Sequence, residues 1–258
     1  MKESAVECYS AIKTKKAFLI GERQVIQPHS TYIFATKTLD KLLKNVEFSE
    51  NTQLDMDFIK KNHKKFRPER AHLYKDIMVF RSGGIGDLVF SYPVLAKIKQ
   101  MNKSCKIKYV TQLSNRDILS CFEGNLIEDI IALPLLGQHF KRADAHIVFE
   151  GLIESNPQAE CLDAYDLFYQ HAFHESRFDD SLLPRFLFDE QIHQEMTSML
   201  PRGLVLIHAR SSSPFRNVQR DIWIELVRGL LAEGHPVGFI DSASSAAALD
   251  AFIATHFG

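Results

Sequence analysis

The residues best suited to chemistry fall in one short run, Arg81-Ser82-Gly83-Gly84-Ile85-Gly86-Asp87, between an apolar segment (76–81) and an apolar-periodic one (88–101). Glycines at such a junction let the backbone turn sharply and approach a ligand closely. The helix start beyond them offers unpaired N–H groups and the positive end of a dipole, which suit an anion. The run is not a P-loop, because no Gly-Lys-Ser/Thr follows, and GxGxxG spacing is absent. On residue types alone it reads as a structural turn, with Asp87 an acid favoured at a helix start. Elsewhere, His171, His174 and Glu175 lack a third ligand at metal-binding spacing and read as helix-flank residues. Phe178, Phe186 and Phe188 read as packing residues, and a G-x-S-x-G elbow is absent.

Three zones position these residues. In 1–72, Lys16 to Gly21 and Thr31 to Phe34 read as short strands about a turn at Gln27-Pro28-His29-Ser30, with a short helix over 38–44. The basic stretch from Lys60 to Arg70 reads as a solvated connector. From Asp76 strands and helices alternate: strands over 76–81, 107–110, 128–133 and 145–149, and helices over 88–101, from Ser114 or Asn115 toward Phe122, and over 157–171. Pro93 should kink the first of these helices. Alternation of this kind implies a mostly parallel sheet covered on both faces. After a bridging helix (189–199) the pattern restarts. A strand over 204–208, a Ser/Pro loop, a helix over 221–232 stopped by Gly234, a strand over 237–240 and a last helix over 246–255 are expected. The fold class is α/β. The expected organisation is a β-rich appendage with linker (1–72), a Rossmann-like domain (73–188) and a partial second Rossmann-like domain (189–258). So few strands make a meagre second sheet, so the expectation is that it packs on the first unit, is completed by a partner chain, or is truncated.

Bulk properties exclude several classes. The 258 residues carry 31 Lys+Arg against 32 Asp+Glu, so no global pull toward nucleic acid is expected. At 45% hydrophobic content the chain can build a core without metal or disulfide staples. Cys8, Cys105, Cys121 and Cys161 form no CxxC pair and read as free thiols of a reducing compartment. With neither a signal-like run nor a membrane-length apolar stretch, the expected location is the cytoplasm.

The segment Ile77 to Leu95, with its strand ending in Arg81, its Ile85-Gly86-Asp87 and its Pro93, resembles the opening of glycosyltransferase family 9. These are the heptosyltransferases of lipopolysaccharide core biosynthesis. Two later blocks agree in order. Asp144 to Ser155 is similar to the family's Asp-x-x-Ile-Asp-x-Gln-Gly-Leu-x-Lys-Ser segment, and Leu204 to Arg210 to the strand that opens its second domain and ends in His.

The resemblance implies a GT-B fold and inverting transfer of a heptose-like sugar from a nucleotide-sugar donor to a glycan or lipid-linked acceptor. Asp87 would be the general base. Gly83, Gly84, Gly86, Glu150 and Gly151 would bind substrate on the acceptor side, and His208, Ser211, Ser212 and Arg216 on the donor side. No metal or other cofactor is implied, because basic groups and helix N-termini stabilise the leaving diphosphate. A lipid-linked acceptor would bring peripheral contact with the inner membrane. The chain also departs from the pattern. Val148 stands where the family has an acid, Glu150 where it has Gln and Glu154 where it has Lys, which moves local charge toward negative. The later Asp-x-Gly-x-x-His block has no counterpart before Gly258. The alternative expectation is therefore a catalytically incomplete relative that serves as a sugar- or nucleotide-binding or structural module.

Overall fold

The computed structural model describes residues 8–20, 24–154, 156–187, 189–208, 219–240 and 253–254. The chain forms two compact units, Met1–Leu187 and Phe188–Gly258.

At the centre of the first unit is a parallel sheet in the order β10-β6-β7-β8, built from β6 (Asp76–Phe80), β7 (Lys106–Thr111), β8 (Asp129–Ala132) and β10 (Ala145–Val148). β6 pairs Ile77 with Ile107 and Val79 with Tyr109 on one side, and Ile77 with Ala145 on the other. Ile77, Met78, Val79 and Phe80 are all buried, as expected of a strand covered on both faces. On one face Ile77, Val79, Ile107, Tyr109 and Ile147 pack with α5 (Tyr92–Met101) and α8 (Ala164–Phe173).

The opposite face holds Met78, Phe80, Val110 and Val148, and its cover comes from the N-terminal zone. There β1 (Tyr9–Thr14), β4 (Thr31–Ala35), β5 (Thr52–Leu54) and β9 (Leu135–Leu136) form a second sheet in the order β5-β1-β4-β9, antiparallel at each pairing. Tyr9, Ala11 and Ile33 of this sheet pack with Ile59 of α3 (Met56–Asn62) and Phe140 of α7 (Gly137–Arg142) against the parallel sheet. The far side of the N-terminal sheet buries Ile12, Tyr32 and Phe34 with Leu39 of α1 (Thr36–Leu42) and Phe48 of α2 (Val46–Glu50). The hairpin of β2 (Phe18–Ile20) and β3 (Gln24–Ile26) closes that cluster.

Residue 72 is therefore no boundary between compact units. The zone expected to be an appendage shares a core with the parallel sheet and recruits β9 from beyond it. A sheet covers much of one face, because β1 and β4 turn Tyr9, Ala11 and Ile33 toward the parallel sheet and Ile12, Tyr32 and Phe34 to their own far side.

The expected helix over 88–101 is two helices, α4 (Ile85–Phe90) and α5, meeting at Ser91. Pro93 sits in the first turn of α5, where its missing N–H costs no bond. Helix α6 (Arg116–Ser120) follows a single 3-10 turn.

The second unit contains α9 (Glu190–Met199), β11 (Val205–Ile207), α10 (Arg220–Ala232) and β12 (Val237–Phe239). β11 and β12 pair in parallel as a sheet of their own, with α10 as the crossover. Gly234 ends α10 at φ +83°, the left-handed geometry that favours glycine. The helix expected over 246–255 lies largely outside the described residues. No described helix is long and apolar enough to cross a membrane.

Candidate active site

β6 points its C-terminal end at the glycine run, and the next residue, Arg81, is 1% exposed. A buried guanidinium requires nearby negative charge to offset its lost hydration. Nη2 donates to Asp87 Oδ2 at 2.5 Å and to Glu154 Oε1 at 3.1 Å. Nη1 donates to the Phe149 carbonyl at 3.1 Å and to Glu154 Oε2 at 3.4 Å, while Nε is buried with no partner among the described residues. Burial opposes the Arg81 charge, but the bonds to Glu154 and Asp87 prevail and hold its pKa above the usual range. For Glu154, burial pushes the carboxyl up, but the Arg81 hydrogen bond, its own backbone N–H and the Arg81 and Lys37 charges together bring it below the usual carboxylate value.

Asp87 occupies the first turn of α4, and its Oδ2 also accepts from the Gly84 N–H at 3.1 Å. Two donors thus fix one carboxylate oxygen. Oδ1 has no hydrogen-bond partner among the described residues, and the side chain is 22% exposed. The site pairs an anchored oxygen with one free to accept a proton.

The three glycines differ in role. A Cβ at Gly83 would lie 2.3 Å from Asp87 Oδ2 and 2.7 Å from Arg81 Nε, so only glycine leaves room for the ion pair. At Gly84 a Cβ would meet nothing within 4 Å, and at Gly86 only the Phe90 ring at 3.8 Å. Asn115 Nδ2 holds the Gly83 carbonyl at 3.2 Å and Thr111 Oγ1 at 2.9 Å, tying the turn to the end of β7.

The second wall follows β10. Glu150 Oε2 accepts from the Ser82 N–H at 2.6 Å and from the Tyr9 hydroxyl at 3.0 Å. Burial, and then the Glu150 charge, push the Tyr9 phenol well up, so it stays a donor. Gly151 takes φ +72°, which lets the chain turn and return Glu154 to Arg81. β6 and β10 are neighbours, while the chain leaves β6 for β7 on the other side. Their carboxyl ends therefore flank the point where strand order reverses, the usual ligand crevice of an open α/β sheet.

Of the residues nominated by sequence, Gly83, Gly84, Gly86 and Asp87 lie on one side of this crevice, and Glu150 and Gly151 on the other. Val148 is buried apolar core. His208 is exposed directly after β11 in the second unit. Ser211, Ser212 and Arg216 lie outside the described residues. Tyr9, Asn115 and the Arg81–Glu154 pairing were not nominated. Arg81 carried a signal, a charge closing a continuously apolar strand, but Tyr9 carried none. His171 is pushed down to about 4 by burial, then by Lys65, and among the described residues no group of three His, Cys, Asp or Glu side chains could hold a metal.

No family model and no curated protein matches the sequence. Among solved structures, the glycosyl transferase family 9 from Veillonella parvula DSM 2008 is similar over 71% of this chain and 67% of its own, with a TM-score of 0.50 at 13% identity. E. coli heptosyltransferase WaaC with ADP-2-deoxy-2-fluoro heptose is similar over 70% and 74%, with a TM-score of 0.47 at 14% identity. At that level of identity the first likeness is one of fold. The chain has the Rossmann-like α/β architecture, GT-B in kind, of that glycosyltransferase structure.

Proposed function

We propose that this chain takes part in glycosyl transfer from a nucleotide-sugar donor to a glycan or lipid-linked acceptor, with Asp87 as general base. In this reading Asp87 Oδ1 takes the proton of an acceptor hydroxyl. The hydroxyl oxygen forms a bond to the anomeric carbon from the face opposite the leaving group, the bond to the diphosphate oxygen breaks, and configuration inverts. Arg81 and the Gly84 N–H hold Oδ2, so the carboxylate meets the acceptor in one orientation, which is where positioning lowers a barrier. His208, Ser211, Ser212 and Arg216 are proposed to receive the leaving diphosphate, with no metal. A heptose-like sugar, a lipopolysaccharide acceptor and peripheral membrane contact belong to the same proposal.

The observation that carries the reading is the half-anchored carboxylate at the strand-order reversal. Asp87→Asn keeps the shape and removes the base. Transfer from ADP- or UDP-sugars should fall by about 10²–10⁴-fold with the melting temperature little changed, and full activity in this variant would sink the proposal. A second reading, a sugar- or nucleotide-binding module without turnover, is favoured by Glu150 and Glu154 standing where the family segment has Gln and Lys. It predicts calorimetric binding of a nucleotide sugar, without transfer, in the parent and in Asp87→Asn alike.

A further inference from the structure

A second cavity lies in the first unit, away from Asp87. It has a volume of about 440 Å³ and sits where the β2–β3 hairpin meets β8 and the residues following β7 and β8. Gln112 and Arg116 come from the turn after β7, Ile131 and Leu136 give an apolar wall, and His139 and Gln24 close the sides. Gln24 is fixed by its Nε2 donating to the Pro134 carbonyl at 3.1 Å. The volume falls in the lower part of the range for small-molecule sites.

Three polar side chains of this cavity are uncommitted among the described residues. The Arg116 guanidinium has no ion pair or hydrogen bond among the described residues, and neither has the Gln112 amide or the His139 ring. An arginine fork beside an apolar wall suits a planar or tetrahedral anion carried on an uncharged body. Asp129 is the one carboxylate among the described lining residues. It disfavours a second anionic head and can accept from hydroxyls. We infer that this cavity binds a small molecule with one anionic head, phosphate ester or carboxylate, on a ring-sized hydroxylated body. The N-terminal hairpin supplies part of the wall, so the 1–72 zone acquires a ligand-binding role besides its packing one.

The cavity is linked to the glycine turn. Between Gln112 and Arg116 lies Asn115, whose amide holds the Gly83 carbonyl.

The test is calorimetry on the full chain with inorganic phosphate, glucose 6-phosphate, glucuronate and AMP as probes, repeated on Arg116→Ala and on Asp87→Asn. Arg116 is exposed, and an unchanged melting temperature checks that its variant folds. The expected result is that at least one ring-bearing probe binds at least about tenfold more tightly than inorganic phosphate, that Arg116→Ala weakens it by about tenfold or more, and that Asp87→Asn leaves it within about twofold, tenfold being 1.4 kcal/mol. The phosphate and carboxylate probes distinguish the two heads. No binding by any ring-bearing probe, binding no tighter than that of phosphate, or binding that Arg116→Ala leaves intact or Asp87→Asn abolishes, would each overturn the inference. A failed transfer assay with Asp87→Asn bears on the catalytic proposal alone, because Asp87 does not line this cavity.

Discussion

Gly83 is where one side chain decides the state of the whole turn. Any Cβ there collides with the Asp87 carboxylate and the Arg81 guanidinium, neither of which is a free end, since both are held by further bonds. Gly83→Ala should therefore separate the ion pair and cost about 1–3 kcal/mol, the usual range for overpacking, together with most of any activity that depends on Asp87. Gly84→Ala meets open space at a negative φ and should stay within about 0.5 kcal/mol of the parent. Urea denaturation of the two variants side by side measures the contrast, and equal losses would refute it. The sequence makes the glycine run conspicuous, yet it treats three glycines alike. What separates them is a distance to Arg81, and that residue's side-chain direction follows from the burial of β6 and from Glu154, which lies 73 residues on.

Continuously apolar strands are the most legible elements. β6 and β10 could be read from short apolar runs because burial on both faces removes the need for polar residues, and the less buried β7 and β8 from Ile107 to Val110 and from the Ile130-Ile131-Ala132 run. β1 was missed because Tyr9–Thr14 mixes Ser10 and Lys13 with Ala11 and Ile12, which serve cores on opposite faces. The α4–α5 junction was half legible. A proline was seen inside a helical pattern, and its cheapest solution is a fresh helix start. Ser91 completes the break by donating to the Leu88 carbonyl at 2.6 Å and accepting from the Tyr109 hydroxyl at 3.1 Å. Pro93→Ala should then change stability by less than about 0.5 kcal/mol, whereas Lys97→Pro, inside the same helix, should cost about 3 kcal/mol or more. Thermal melts decide it. A large loss in Pro93→Ala would mean that the proline, not Ser91, sets the break.

At the scale of the whole molecule, the N-terminal zone is held by His146. Its Nδ1 accepts from the Lys64 N–H at 2.9 Å, its Nε2 donates to the Phe140 carbonyl at 2.9 Å, and its ring stacks on Phe140 at 4.0 Å. Such joints are invisible in sequence, since each partner is ordinary alone and only the fold brings them together. Both ring nitrogens are committed, so the ring must be neutral. Burial pushes its pKa down to about 4, with opposing help from the Phe140 carbonyl. His171 is displaced to about the same value. In the unfolded chain both return to about 6.5, so between those values the unfolded state binds more protons. The stability these two histidines contribute is then complete above about pH 6.5, declines as pH falls toward 4 and is lost below it, with His146 worth on the order of 3 kcal/mol across the window. His146→Gln should lower stability at pH 7 and flatten the decline between pH 6.5 and 4.5 in urea titrations. A decline as steep as the parent's would show that the acid response comes from other groups and that the joint at Lys64 does not open by protonation.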